Sequence, residues 1–452
     1  TVRDFKVYGN VLTFSVETKG EAPEPTPAEG EGEAAEGAPA GGEPPAPPST
    51  TTTRIRATIT GDEMSGTVTT QDGTELSFTG TRTALPPEAE KPKTPPAVPE
   101  QFGYPFGPYA RMDPPAEETV IVRNATIWTS AEAGIIQDGA LMVSGGKILY
   151  VGDDAGLADL LSRVRLASPP REIDAQGRHV TPGIIDCHSH TGLTAINEGG
   201  QGVTAEVRIS DGADHTDISW YRQLAGGVTC VNSLHGSANS IGGQNQVSKI
   251  RWGAMLPWDY FFEGAPPGIK FALGENPKSG NSYGTGAGAQ YPQTRMGVEA
   301  LIRDRFTAGQ QYAQAWEAFA RDGGVPPRRD LELEAMAEIL SGERLVHCHS
   351  YRMDEILMLC HVAKEFGFII GTFQHALEVY KVAPEVREVA RGASAFSDWW
   401  AYKVEVQDAI PHAGAIMHEV GVVVSFNSDS DELARRLNIE AAKAVRYGGV
   451  DP

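Results

Sequence analysis

Two histidines two residues apart, in Asp186-Cys187-His188-Ser189-His190, close the apolar run Ile184-Ile185. In an extended strand, side chains i and i+2 share a face, so both imidazoles can aim at one metal ion. A structural histidine pair satisfies the same spacing, so the pair alone does not decide. Four further segments put ligand-type residues at the ends of apolar runs. Lys270 lies in Gly268-Ile269-Lys270-Phe271, with the rival carboxylate Glu275 just beyond it. His347 and His349 end Leu345-Val346-His347-Cys348-His349. His375 follows Gly371-Thr372-Phe373-Gln374, and Asp429 follows Ser425-Phe426-Asn427-Ser428. His235, after Cys230-Val231-Asn232-Ser233-Leu234, heads a Gly-rich polar loop that is either pocket lining or a plain connection.

These residues need strands that all end on one side. From residue 179 onward, short apolar runs at 184–186, 227–231, 268–271, 345–347, 368–370, 393–396 and 422–426 alternate with helical stretches. That alternation implies a parallel sheet, and its length matches a (β/α)8 barrel, whose sites sit at the C-terminal ends of the strands. An open doubly wound sheet is the structural alternative, weakened because no Gly-rich phosphate loop follows a first strand. Ahead of the barrel, 119–152 reads as strand pairs with a tight turn at Gly145-Gly146.

Residues 119–152, followed by Val180-Thr181-Pro182-Gly183-Ile184-Ile185-Asp186-Cys187-His188-Ser189-His190, strongly resemble the amidohydrolase superfamily in its imidazolonepropionase-like branch. The resemblance covers roughly 119–452. It implies an α/β fold: a (β/α)8 TIM-type barrel over 179–452 with a flanking small β-sandwich, whose N-terminal half is 119–178. It implies Zn²⁺ or a similar ion, one or two per chain, held by His188, His190, His347 and His375. By the same resemblance Asp429 is both ligand and proton carrier, and Lys270 bridges two ions if carboxylated. His347 is favoured over His349, which could instead contact substrate. Purely structural roles for each residue, such as Lys270 simply pairing with an acid, would all have to hold together. The implied chemistry is hydrolysis of a C–N bond in an amide, cyclic amide or peptide-like small molecule by metal-activated hydroxide, with Asp429 moving the proton to the leaving nitrogen. The alternatives are a deaminase of the same superfamily and a non-catalytic binding protein with a degenerate barrel.

Composition bounds the rest. The chain has 452 residues and a formal net charge of −21, which argues against nucleic-acid or anionic-membrane partners. No apolar run reaches the ~18 residues of a membrane span. The four cysteines, Cys187, Cys230, Cys348 and Cys360, form no CxxC pair and read as buried thiols. They leave the redox compartment open. Residues 1–83 alternate as an antiparallel β module with turns at Gly9-Asn10, Gly61-Asp62 and Asp72-Gly73. The module is interrupted at 20–49 by a Glu/Pro-rich stretch expected to be disordered. A Pro-rich linker is expected over 84–118, with an aromatic run at Phe102, Tyr104, Phe106 and Tyr109. Such an appended module suits an exported or cell-envelope protein by analogy, and oligomerisation is left open. The ends read as those of a fragment lacking the C-terminal half of the sandwich.

Overall fold

A computed structural model describes residues 2–19, 50–83, 116–254, 256–278, 291–396 and 403–451. The acidic insert and the aromatic run expected above lie outside the described residues. The chain divides into two compact units, Thr1–Val98 and Pro99–Pro452.

The first unit is a five-stranded antiparallel meander, in the order β1 (Val2–Tyr8), β2 (Val11–Lys19), β3 (Thr50–Thr60), β4 (Glu63–Thr69) and β5 (Glu75–Thr81). Its strands are rich in Thr and Val, which suit a pleated, half-buried surface. The Asp72-Gly73 turn has Gly73 at φ 87, and the Asp72 carboxylate accepts from Thr74 N at 3.2 Å. The β2–β3 register runs from Val11 opposite Thr58 to Lys19 opposite Thr50.

The second unit opens with a sheet of β6 (Val120–Trp128), β7 (Ile135–Ser144), β8 (Lys147–Gly152), β9 (Arg171–Asp174) and β10 (His179–Val180), ordered β10-β6-β7-β8 with β9 also on β6. Helix α1 (Asp154–Arg163) begins where the Asp153 side chain accepts from Gly156 N, the usual remedy for an orphaned helix amide. Its Leu157 is buried against Ile121, Ala140 and Met142.

The site-bearing strands follow. They are β11 (Ile184–Ser189), β12 (Val228–Ser233), β13 (Ile241–Gln244), β14 (Gln246–Lys249), β15 (Gly268–Ala272), β16 (Leu345–His349), β17 (Ile370–Gln374), β18 (Ala390–Ala395) and β19 (Val424–Phe426). β11 and β12 are parallel, as are β15 to β19 in succession. Between them the chain departs from an all-parallel arrangement. β14 runs antiparallel to β12 and β13 antiparallel to β15, forming one extended stretch broken at Asn245. Only residues 234–240 separate β12 from β13. A parallel crossover needs about a dozen residues, so the chain turns back instead. Asn245 ties both sides, donating to Asn232 Oδ1 at 2.5 Å and from its amide to Gly268 O at 3.1 Å. At the other end β19 returns to β11, where Cys187 Sγ lies 3.2 Å from Ser425 Oγ and Asp429 N donates to His188 O at 3.1 Å.

Helices α2 (Ile218–Ala225), α3 (Arg295–Asp322), α4 (Leu331–Leu340), α5 (Met353–Phe366), α6 (Ala383–Val389), α7 (Ala413–Val420), α8 (Asp431–Ala434) and α9 (Leu437–Gly448) accompany these strands. Strand periodicity separates core from chemistry. Ile269 and Phe271, Val346 and Cys348, and Ala393 and Ala395 enter one apolar cluster with Val298, Ile302 and Phe306 of α3 and with Ile356 and Leu359 of α5. Each large side chain buried there contributes about 1.5–3 kcal/mol. The residues between them, Lys270, His347 and Ser394, therefore occupy the opposite face. None of the described helices is long and apolar enough to cross a membrane.

Candidate metal centre

The opposite face is polar and deeply buried. His188 Nε2 lies 3.2 Å from His190 Nε2, 3.2 Å from Lys270 Nζ and 3.4 Å from Asp429 Oδ1. His190 Nε2 is 3.1 Å, and His375 Nε2 3.9 Å, from the Asp429 carboxylate. Ligand atoms of His188, His375 and Asp429 all fall within 4.8 Å of one another. The structure thus brings five of the singled-out residues, His188, His190, Lys270, His375 and Asp429, to one point.

Backbone strain marks the same place. His375 and Asp429 have φ of 37 and 47, a left-handed conformation that non-glycine residues keep only when their surroundings over-determine it. The His375 amide donates to Ser394 Oγ at 3.0 Å, and that hydroxyl donates to Gln374 Oε1 at 2.8 Å.

The donor set suits a divalent cation. Burial holds the His188 and His349 rings well below their usual pKa and lowers His375 to about 3, so these imidazoles are neutral and carry lone pairs. His375 Nδ1 and Nε2 and His349 Nε2 are buried with no hydrogen-bond partner among the described residues. Such atoms are costly unless something coordinates them. The Leu234 carbonyl, 2.9 Å from His190 Nδ1, can only accept. It therefore fixes a proton on Nδ1 and orients the ring with Nε2 facing the site. Burial alone would raise Asp429, but the hydrogen-bonded His190 beside it, with the nearby His375 and Lys270, holds it below its usual value. Burial lowers Lys270 to about 8.

The two histidines of β16 part ways. His347 sits one pleat lower, level with Lys270 and Thr372. Its Nδ1 is 2.7 Å from Thr372 Oγ1, and its Nε2 packs so closely on Gly268 that a Cβ there would lie 2.7 Å away. His349, level with Ala272 and Gln374, lies beside His375. Its ring centroid is 4.5 Å from that of His375, and its Nδ1 is 2.9 Å from Ser237 Oγ. Depth along the strand, not face, separates the pair.

Glu275 and His235 also lie outside the group. Glu275 donates its amide to Glu405 Oε2 at 3.2 Å, beside an ion-pair cluster in which Arg295 meets Glu355 and Glu405. His235 spends both nitrogens on the backbone, accepting from Glu198 N at 2.7 Å and donating to Gly236 O at 2.9 Å. It clamps the loop rather than facing the site. One residue escaped the sequence reading. Asp186 is fully buried, is pushed up by that burial to about 6, and accepts from Ser428 and His188. Its only signal was a carboxylate inside an apolar strand.

No protein-family model matches the chain. Among solved structures it resembles an amidohydrolase from Thermotoga maritima, with a TM-score of 0.63 and 29% identity, covering 74% of this chain and 84% of that one. Among curated proteins, Amidohydrolase tasK of Hapsidospora irregularis is 29% identical over 374 residues, 73% of this chain. The imidazolonepropionase of Rhizobium meliloti is 33% identical over 120 residues, 26% of this chain. These likenesses support placing the chain in the amidohydrolase superfamily. It spans 37% of the length of the first of these curated relatives and 26% of the second. A superfamily origin accounts for why ligand-type residues spaced over some 240 positions meet at one rim. It also agrees with the α/β architecture, to which this chain adds a separate antiparallel sheet at its N-terminus.

Proposed function

We propose that this amidohydrolase hydrolyses a C–N bond of a small amide, cyclic amide or peptide-like molecule at a divalent metal centre, Zn²⁺ being the natural candidate. One observation carries the proposal: buried, neutral imidazole nitrogens and a carboxylate converge on a common point, with His349 and His375 nitrogens that no described residue satisfies. His188, His190, His349, His375 and Asp429 would hold the ion. In that reading His347 supports the layer beneath. When bound, such an ion supplies Lewis acidity and lowers the pKa of water from about 16 to about 7.

The chain's own groups do the rest. Asp429, kept ionised by its imidazole neighbours, accepts a proton from the attacking water and returns it to the departing nitrogen. The His190 Nδ1 bond to Leu234 O holds that ring in the tautomer that presents Nε2. As an ammonium Lys270 repels a dication; converted to a carbamate by CO₂, it would bridge two. A deaminase is the second reading. The 5-methylthioadenosine/S-adenosylhomocysteine deaminase of Symbiobacterium thermophilum is 27% identical over 152 residues, 30% of this chain.

The test is elemental analysis of the purified protein, then a panel of N-acyl amino acids, dipeptides, cyclic amides and aminopurines. Bound Zn²⁺ or a similar ion with amide turnover supports the proposal. Ammonia released from aminopurines alone favours the deaminase. A protein that binds no divalent ion at micromolar concentrations overturns both.

A further inference from the structure

Asp186 has no part in the proton route just described, yet it is a carboxylate with 0% exposure at the heart of the molecule. Its Oδ1 accepts from the backbone amides of His188, at 3.3 Å, and Ser428, at 3.1 Å. Its Oδ2 accepts from the Ser428 hydroxyl at 2.5 Å. The partners answer in kind. Asp429 N donates to His188 O at 3.1 Å, and Ser428 Oγ lies 3.4 Å from the same carbonyl. One carboxylate therefore grips the backbone on both sides of the centre, the strand carrying His188 and the turn carrying Asp429. Asp429 is one of the two site residues in the left-handed region, at φ 47. A strained residue of this kind relaxes unless fixed contacts hold it. The contacts available for that purpose are those of Ser428 to Asp186 and of the Asp429 amide to His188.

We propose that Asp186, acting through Ser428, is a positioning residue that holds the Asp429 carboxylate against the His188–His190 pair. This rests on the metal-centre reading above. Simple fastening of β19 to β11 would affect stability alone, whereas positioning affects the geometry of the centre.

The experiment uses the full chain loaded with Co²⁺. Its variants are Asp186→Asn and Ser428→Ala, and Ser428→Thr as the conservative rescue. Visible absorption of bound Co²⁺, Co²⁺ affinity by competition with a chelator, and turnover of the best substrate in the amide panel are read together. Removal of a group that orients a ligand costs roughly 10–100-fold in metal affinity or activity. Asp186→Asn and Ser428→Ala are expected to alter the Co²⁺ spectrum and lower kcat by about that factor with little change in KM, while Ser428→Thr restores both. Because all three groups act as a unit, adding Ser428→Ala to Asp429→Asn should give no further loss. Wild-type spectra and kcat in folded Asp186→Asn and Ser428→Ala, with only thermal stability lowered, overturn the proposal and leave the metal centre standing. Losses that multiply with Asp429→Asn overturn it as well. A wild-type chain that takes up no Co²⁺ removes the metal centre and this inference together.

Discussion

At the residue scale, the roles proposed here separate cleanly under substitution. His188→Ala and His190→Ala remove imidazoles whose Nε2 atoms lie 3.2 Å apart at the convergence point. Metal content measured by plasma emission should fall to background in each. Asp429→Asn keeps the shape of the side chain but loses its basicity. It is expected to retain metal and lose turnover by about 10²–10⁴-fold, the worth of a general acid–base group; steady-state kinetics beside metal analysis checks both halves. The β16 pair gives a sharper contrast. His349→Ala should strip metal. His347→Ala should leave metal in place and lower stability, because the Thr372 hydroxyl and the packing on Gly268 lose their partner. The reverse pattern would restore the ligand set first expected.

At the element scale, the loop after β11 is held to α2 by a glycine. Gly192 has φ 71, and a Cβ there would lie 2.4 Å from two carbons of the Trp220 ring. Trp220 is itself buried against Tyr260, with ring centroids 4.4 Å apart. Gly192→Ala therefore combines a left-handed backbone penalty of about 1–2 kcal/mol with overpacking of roughly 1–3 kcal/mol. A clear fall in Tm is expected, and an unchanged Tm would show that the ring has room to move. The antiparallel β13–β14 stretch belongs to this scale too. A short connection reversed the strand direction where alternation of apolar runs had implied parallel order.

At the scale of the whole molecule, burial of neutral histidines makes stability depend on pH. The sign follows from which state binds the proton. Folded His188 and His375 resist protonation, and His347 is lowered to about 4 by burial, whereas unfolded histidine titrates near 6.5. Between those values the unfolded chain binds more protons, so stability drops as pH falls. The slope is about 1.4 kcal/mol per pH unit for each such histidine. Urea titrations from pH 7 down to pH 4.5 should show this loss. A bound ion would deepen it, since protons compete for the same nitrogens. Chelation at pH 7.5 should lower Tm reversibly, by the equivalent of about 2.7 kcal/mol where the ion stands at 100 times its Kd.

Much of this was legible in the chain itself. Period-two alternation placed apolar residues such as Ile269 and Phe271 on one face and Lys270 on the other. The apolar runs and turn glycines pointed to a parallel α/β fold with an appended antiparallel sheet, the His188/His190 spacing allowed a shared metal ion, and the resemblance of 119–152 and 180–190 implied the amidohydrolase family. Those are local patterns, fixed by backbone geometry over a few residues. What tertiary structure decided is depth, direction and partnership. His347 and His349 share a face and differ only in register against β15 and β17. The reversal at Asn245 depends on how far a short loop can reach. Asp186 acquires its partner only when β19 closes on β11, across 242 positions of sequence, and no local pattern encodes a contact that exists only once distant strands have met.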